Sequence, residues 1–352
     1  MMLSVVIPNR NDSVMLAITV RSCLEELKAV PGGGEVVVVD NSDEDIWQIL
    51  STVNISPIDL GYVEEGKVQL IRQPYPCLYS AREAAIKAAR GKYVYNMDSH
   101  TIVGHDSLKV LVDFMEAREG GNVGMGFAPI GWISKHETYA RHDIRLDEGT
   151  IFGNWGRQYD DPTKIFWNFG SRICRREWFL NVHGGYGFFS KKRISWGGGE
   201  MYAAIKTWLL GYENWAVPCS PQYHIGPFSA AIEARTPYRY RVYDKSGNGR
   251  TGIGVLAAFY ALGGEEAKEE AMKSKKGLAQ YGLDPERDWR EARKLAGEDW
   301  EWMKKSQIIS LKKLLEKQPW AEGWDENRWK SWRPYESIGK VQDLSKLMIL
   351  PS

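Results

Sequence analysis

Strand and helix patterns alternate through the first hundred residues, and that alternation leaves few folds open. Leu3-Ser4-Val5-Val6-Ile7-Pro8 and Glu35-Val36-Val37-Val38-Val39-Asp40 are short, β-branched and nearly continuously apolar, as strands covered on both faces are. Between them Val14, Ile18, Cys23 and Leu27 recur among polar residues in a helix pattern. Pro31-Gly32-Gly33-Gly34 then breaks the chain. Further along, the pattern predicts a short strand at 68–71 and an Ala-rich helix at 80–90 with Gly91 as its C-terminal cap. A strand at 92–97 and a helix at 107–117 follow. Strands alternating with helices imply an α/β chain built on a mostly parallel sheet.

Beyond residue 120 the regularity fades. Residues 120–195 are rich in Gly and aromatics, which predicts irregular strands and loops around an acceptor site. A helix is expected at 200–210, ending at Gly211, and a long loop at 229–254. From Gly254 the composition shifts to Ala, Glu, Lys and Trp, with Asp284-Pro285 as a helix start. The expected division is therefore a catalytic domain at 1–250 and a helical, Trp-rich extension at 251–352. Trp289, Trp300, Trp302, Trp320, Trp324, Trp329 and Trp332 are read first as packing residues and second as stacking surfaces for bases or sugars.

A net charge of +1 gives no global pull toward nucleic acid or membrane. The four cysteines, Cys23, Cys77, Cys174 and Cys219, form no C-x-x-C pair, which fits reduced thiols. The chain opens on a strand, and no apolar run is long enough to span a bilayer. A cytoplasmic protein without membrane insertion is expected.

The residues that carry chemistry cluster at expected strand ends. Asp98-Ser99-His100 follows the strand at 92–97, at the edge where open α/β sheets bind ligands. A carboxylate and an imidazole there can share one divalent cation such as Mn²⁺. His224, after Val217-Pro218-Cys219-Ser220, is a candidate third ligand. The plainer reading of such a pair is a solvated loop. Asp40 ends its strand where a carboxylate can accept the imide N–H of a uracil, or cap a turn. Arg82 suits a phosphate or nucleotide contact, or a surface ion pair. In Trp196-Gly197-Gly198-Gly199-Glu200, Trp196 offers a face to a sugar. The glycines, Gly198 among them, permit close approach to a ligand. Glu200 reads as a base or sugar-hydroxyl acceptor, or as a favourable charge at a helix start. Arg235 and Tyr238, in a basic stretch, can close over a diphosphate or belong to a solvated loop.

Taken in order, Pro8, Asp40, Ala81-Arg82, Asp98-Ser99-His100, the Trp196 segment, Val-Pro-Cys-Ser with His224, and Arg235-Thr236-Pro237-Tyr238 resemble the GT-A fold of nucleotide-sugar glycosyltransferases. The resemblance covers residues 3–245. It is nearest to the catalytic domain of the polypeptide N-acetylgalactosaminyltransferases, and looser to the family-two glycosyltransferases. It implies a Rossmann-like sheet flanked by helices and metal-dependent transfer of a sugar from a UDP-sugar to an acceptor hydroxyl. Asp98, His100 and His224 would hold Mn²⁺ (or Mg²⁺), and Asp40 and Arg82 would touch the uridine. Arg235 and Tyr238 would lie in a mobile loop over the diphosphate.

Where that family has Trp-Gly-Gly-Glu-Asn, this chain has Trp-Gly-Gly-Gly-Glu. Glu200 thus stands in place of an Asn, where inverting relatives of the fold carry an Asp base. The expected source is a bacterium or a phage-infected cell, and the acceptor a glycan, a protein or a modified DNA base. A phage enzyme acting on a hydroxymethylated base is one alternative, and a catalytically silent sugar-nucleotide or glycan-binding module is another.

Overall fold

A computed structural model describes residues 1–43, 66–134, 137–141, 161–168, 171–194, 197–224, 248–274, 278 and 283–321. Strand β1 (Leu3–Asn9) leads into helix α1 (Ser13–Leu27), then β2 (Gly34–Asp40) and β3 (Val68–Arg72). Helix α2 (Leu78–Ala88), β4 (Tyr93–Asn96), the two-residue β5 (Thr101–Ile102) and α3 (Ser107–Glu116) follow. Next come β6 (Val123–Phe127), β7 (Ile130–Ser134), β8 (Glu137–Arg141), β9 (Thr163–Lys164) and β10 (Arg172–Arg175). A short α4 (Phe188–Lys191) precedes α5 (Gly199–Leu209), β11 (Glu213–Ala216) and β12 (Gln222–His224). The C-terminal helices are α6 (Asn248–Gly263), α7 (Ala267–Lys273), α8 (Pro285–Ser306) and α9 (Leu311–Lys317).

The strands form an eight-stranded sheet in the order β3-β2-β1-β4-β10-β6-β11-β9, and a smaller sheet in the order β5-β12-β7-β8. Strands β3, β2, β1 and β4 run parallel, as the alternation with helices requires. Strand β10 then inserts antiparallel between β4 and β6. The valine run explains why β2 lies inside. Val36 and Val38 point into one core, shared with α1 and α3, while Val37 and Val39 point into the other.

That second core is continuous with the C-terminal helices. Ile253, Leu256 and Phe259 of α6, Trp289, Ala292, Ala296 and Met303 of α8, and Trp320 join Val37, Ala81 and Phe127 in one buried cluster. Trp320 stacks on Phe166 with ring centroids 4.2 Å apart. Helix α8 starts as its sequence predicts, with Asp284 accepting from the Glu286 and Arg287 amides and Pro285 in the first turn.

Two local expectations change. The expected loop at 229–254 is already helical from Asn248, and the remainder of it lies outside the described residues. Gly254 is there for packing, because a Cβ would stand 2.9 Å from Ile194 and 3.2 Å from the Gly197 carbonyl. Gly91 does not cap α2, whose C-cap is Ala89. A Cβ at Gly91 would meet the backbone of Leu3 and Ser4 at 2.6–2.7 Å, so this glycine lets the chain pass close beside β1. No helix among the described residues is long and apolar enough to cross a membrane. All four cysteines are buried and unbridged.

Candidate active site

The two sheets meet where the candidate ligands lie. Chain direction places Asp98 just beyond the carboxyl end of β4, and His100 immediately before β5. Strand β12 pairs antiparallel with β5, setting His224 opposite Thr101. That register brings the His100 and His224 Nε2 atoms to 3.0 Å of each other. His224 Nε2 lies 3.8 Å from an Asp98 carboxylate oxygen. One ligand atom from each of Asp98, His100 and His224 falls within 4.8 Å of the other two.

A residue that was not singled out in the sequence orients the group. Asp12, at the start of α1, makes no capping hydrogen bond to its helix. Its carboxylate lies 2.8 Å from His100 Nδ1. In the neutral imidazole this places the proton on Nδ1 and aims the Nε2 lone pair at Asp98 and His224, the usual outer support of a metal-bound histidine.

Arg82 links this group to Glu200. One terminal nitrogen of its buried guanidinium donates to Asp98 at 2.7 Å, and the other donates to Glu200. Burial would push the Asp98 carboxyl up, but Arg82 and the two imidazoles outweigh it and hold it at about 2. Glu200 lies in the first turn of α5, and its second oxygen accepts from the Tyr79 hydroxyl at 2.9 Å. Among the described residues Arg82 thus lies between two carboxylates, Asp98 and Glu200, and a third, Asp12, backs the His100 ring. Such a site repels a diphosphate unless a cation joins it, and the mixed oxygen and nitrogen donors suit a divalent first-row metal. The residues present therefore fit the metal that the sequence implied.

Asp40 is fully buried at the same sheet edge. The β1–β2 register sets it beside Asn9. One carboxylate oxygen accepts from Asn9 at 2.8 Å and from the Ser42 hydroxyl at 2.6 Å, and the other accepts from Arg72. Asp40 thus anchors the turn at the strand end, and Arg82 spends both terminal nitrogens on carboxylates.

The glycine run touches protein. Gly198 has φ +85°, and a Cβ there would meet Val255 of α6 at 3.0–3.1 Å. A Cβ at Gly199 would overlap the Tyr79 ring, whose hydroxyl accepts from the Gly199 amide at 3.0 Å. Trp196, Arg235 and Tyr238 lie outside the described residues.

The profile of glycosyl transferase family 2 matches residues 4–190, more than half of the 352-residue chain. The chain belongs to glycosyl transferase family 2. The match spans the parallel half of the large sheet, Asp12, Arg82 and the Asp98–His100 segment. Among solved structures, GalNAc-T7 with UDP, GalNAc and Mn²⁺ superposes with a TM-score of 0.56 at 17% identity, over 86% of this chain and 56% of that one. The chain thus spans a little over half the length of that protein. The 1–349 segment of S. aureus TarS gives a TM-score of 0.48 at 14% identity, over 87% of this chain and 91% of that one. No curated protein matches the sequence. In this family-two chain the fold is the expected GT-A arrangement, with helices on both faces of the sheet and further helices between Asn248 and Lys317.

Asp12, Tyr79 and Arg72 were absent from the sequence reading. The polar run Asn9-Arg10-Asn11-Asp12 directly after β1 was the available signal for Asp12, since it falls at the ligand-binding edge. Tyr79 left no such signal, because its partner lies 121 residues away.

Proposed function

We propose that this protein is a divalent-metal-dependent glycosyltransferase that moves a hexosyl or N-acetylhexosaminyl group from a UDP-sugar to an acceptor hydroxyl. The observation that carries the reading is the convergence of Asp98, His100 and His224 at one sheet edge, joined through Arg82 to Glu200. The UDP, GalNAc and Mn²⁺ held by GalNAc-T7, a protein of the same fold, support the choice of donor and metal.

Asp98, His100 and His224 would hold the metal, with Asp12 fixing the His100 ring. The cation supplies charge neutralisation for the departing diphosphate. Arg82 keeps Asp98 ionised and turned toward the histidines. Glu200 acts on the acceptor. Arg82 and Tyr79 occupy one lone pair on each of its oxygens, and a carboxylate has about four such positions. The remaining ones accept the acceptor hydroxyl and take its proton as the glycosidic bond forms. This assigns Glu200 as general base and gives inversion at the anomeric carbon.

The test is a screen of UDP-sugars for UDP release, with Mn²⁺ and with a chelator, followed by a screen of glycan, peptide and DNA acceptors. The reading predicts turnover that the chelator abolishes, and a Glu200→Gln variant that binds donor normally but transfers about a hundredfold more slowly. Turnover indifferent to chelation, or a product with retained anomeric configuration, contradicts it.

A further inference from the structure

Asp299, in the middle of α8, is a buried carboxylate. One of its oxygens accepts from the Tyr202 hydroxyl at 2.8 Å and from the Phe188 backbone amide at 2.8 Å. Tyr202 lies on α5, within a turn of Glu200. Phe188 opens the short helix α4, so a carboxylate from a distant helix serves as its cap. Gly187, with φ +53°, leaves the carboxylate room, because a Cβ there would overlap Asp299. The C-terminal tail and the segment at 187–188 are thus shaped to each other.

The contacts continue to the site. Tyr202 packs on Phe188 and Phe189, each with ring centroids 5.6 Å apart. Phe189 meets Tyr79 edge-on at 4.9 Å, and Tyr186 meets it at 5.3 Å. The Tyr79 hydroxyl then joins the Gly199 amide to Glu200. Two routes therefore run from Asp299 to Glu200, one through α5 and one through the aromatic stack. Both pass through well-buried side chains, where small displacements are transmitted rather than absorbed.

We infer that Asp299 is a positioning residue for Glu200, so that the C-terminal helical tail completes the active site rather than only covering the sheet. The inference rests on the proposed role of Glu200. Asp299, like Glu200 and Tyr202, lies beyond residues 4–190 matched by the family profile. Loss of the Asp299 contacts frees Tyr202 and the 187–189 turn, lets Tyr79 move, and carries Glu200 away from the acceptor hydroxyl. The candidate metal ligands, placed at the end of β4 and on the β5–β12 pair, stay in place.

The experiment measures transfer rate, donor affinity and thermal midpoint on the full chain for Asp299→Ala, Asp299→Asn and Tyr202→Phe, each alone and combined with Glu200→Gln. Expected is a 10- to 100-fold loss of kcat in Asp299→Ala, the size of effect that a misplacement of about 1 Å produces. The Kd for UDP with Mn²⁺ should change less than about twofold, with partial rescue in Asp299→Asn. In the Glu200→Gln background the same changes should cost no further rate, because residues acting through one group are not additive. Should Asp299→Ala fail to fold, Tyr202→Phe, which loses only a hydroxyl, decides by the same criteria. Full kcat per folded molecule with a lowered midpoint overturns the inference, as does an undiminished effect in the Glu200→Gln background. A Glu200→Gln single variant with normal transfer defeats the base assignment itself, and is read separately.

Discussion

The Nε2 atoms of His100 and His224 face each other at 3.0 Å, although 124 residues separate them in the chain. The rings stand nearly perpendicular, at 88°. With His100 Nδ1 paired to Asp12, its Nε2 presents a lone pair, and His224 presents a nitrogen to the same point. Short antiparallel pairing between β5 and β12 fixes this arrangement. Backbone pairing therefore holds the two imidazoles together.

Asp12 is expected to matter for metal binding although it touches no metal. Asp12→Ala removes the group that orients His100 and should weaken Mn²⁺ affinity about 10- to 100-fold, the usual effect of losing an outer hydrogen-bond partner. Calorimetric titration in the presence of UDP measures it. Unchanged affinity contradicts the support assigned to Asp12.

Tyr79→Phe strips the Gly199 amide of its acceptor and Glu200 of a donor. Leaving a buried amide unpaired costs about 1–3 kcal/mol, and the urea midpoint should fall accordingly. Transfer should slow more than donor binding weakens. A variant with wild-type stability and wild-type kcat contradicts the account of Tyr79.

Lys206 gives a pH signature of its own. Burial pulls its ammonium from 10.5 down to about 7, against the raising influence of Asp299 and Glu83. The folded chain releases this proton near pH 7 and the unfolded chain near 10.5, so between those values the unfolded state binds more protons and stability rises with pH. Below pH 7 the cost of burying the charge is fully present. Relative to Lys206→Met, the wild type should therefore gain unfolding free energy as pH climbs from 7 toward 10.5. A difference that stays flat across that range contradicts the lowered value.

Gly199→Ala should couple stability to rate. A Cβ at Gly199 overlaps the Tyr79 ring, and forcing extra volume into a packed contact costs about 1–3 kcal/mol. The ring cannot yield without moving its hydroxyl from Glu200, so kcat should fall together with the thermal midpoint. Loss of stability with kcat unchanged would show that Tyr79 is not what holds Glu200.

The parts of this molecule that local chemistry dictates were legible in the sequence. The valines of β2 and the alternation around them specify a buried parallel strand, and Asp98, His100 and His224 declare themselves by residue type and by position at strand ends. Features that depend on distant partners were hidden. Nothing near Arg172–Arg175 says that this strand inserts antiparallel between β4 and β6. The glycines at 249, 252 and 254 resemble a loop until Ile194 and the Gly197 carbonyl are seen against α6. That Arg82 bridges Asp98 and Glu200 was equally hidden, because these partners lie 16 and 118 residues away. Asp299 sits among charged residues of an amphipathic helix, and only the fold shows that it faces inward.

The central claim is that Asp98, His100 and His224 hold one divalent cation at the carboxyl edge of the sheet. A crystal grown with UDP and Mn²⁺, measured at the manganese absorption edge, tests it most directly. The account predicts one strong anomalous peak bonded to a carboxylate oxygen of Asp98, to Nε2 of His100 and to Nε2 of His224, with the diphosphate on its open side. UDP bound at this edge with the anomalous peak elsewhere, or with no peak at all, would contradict it.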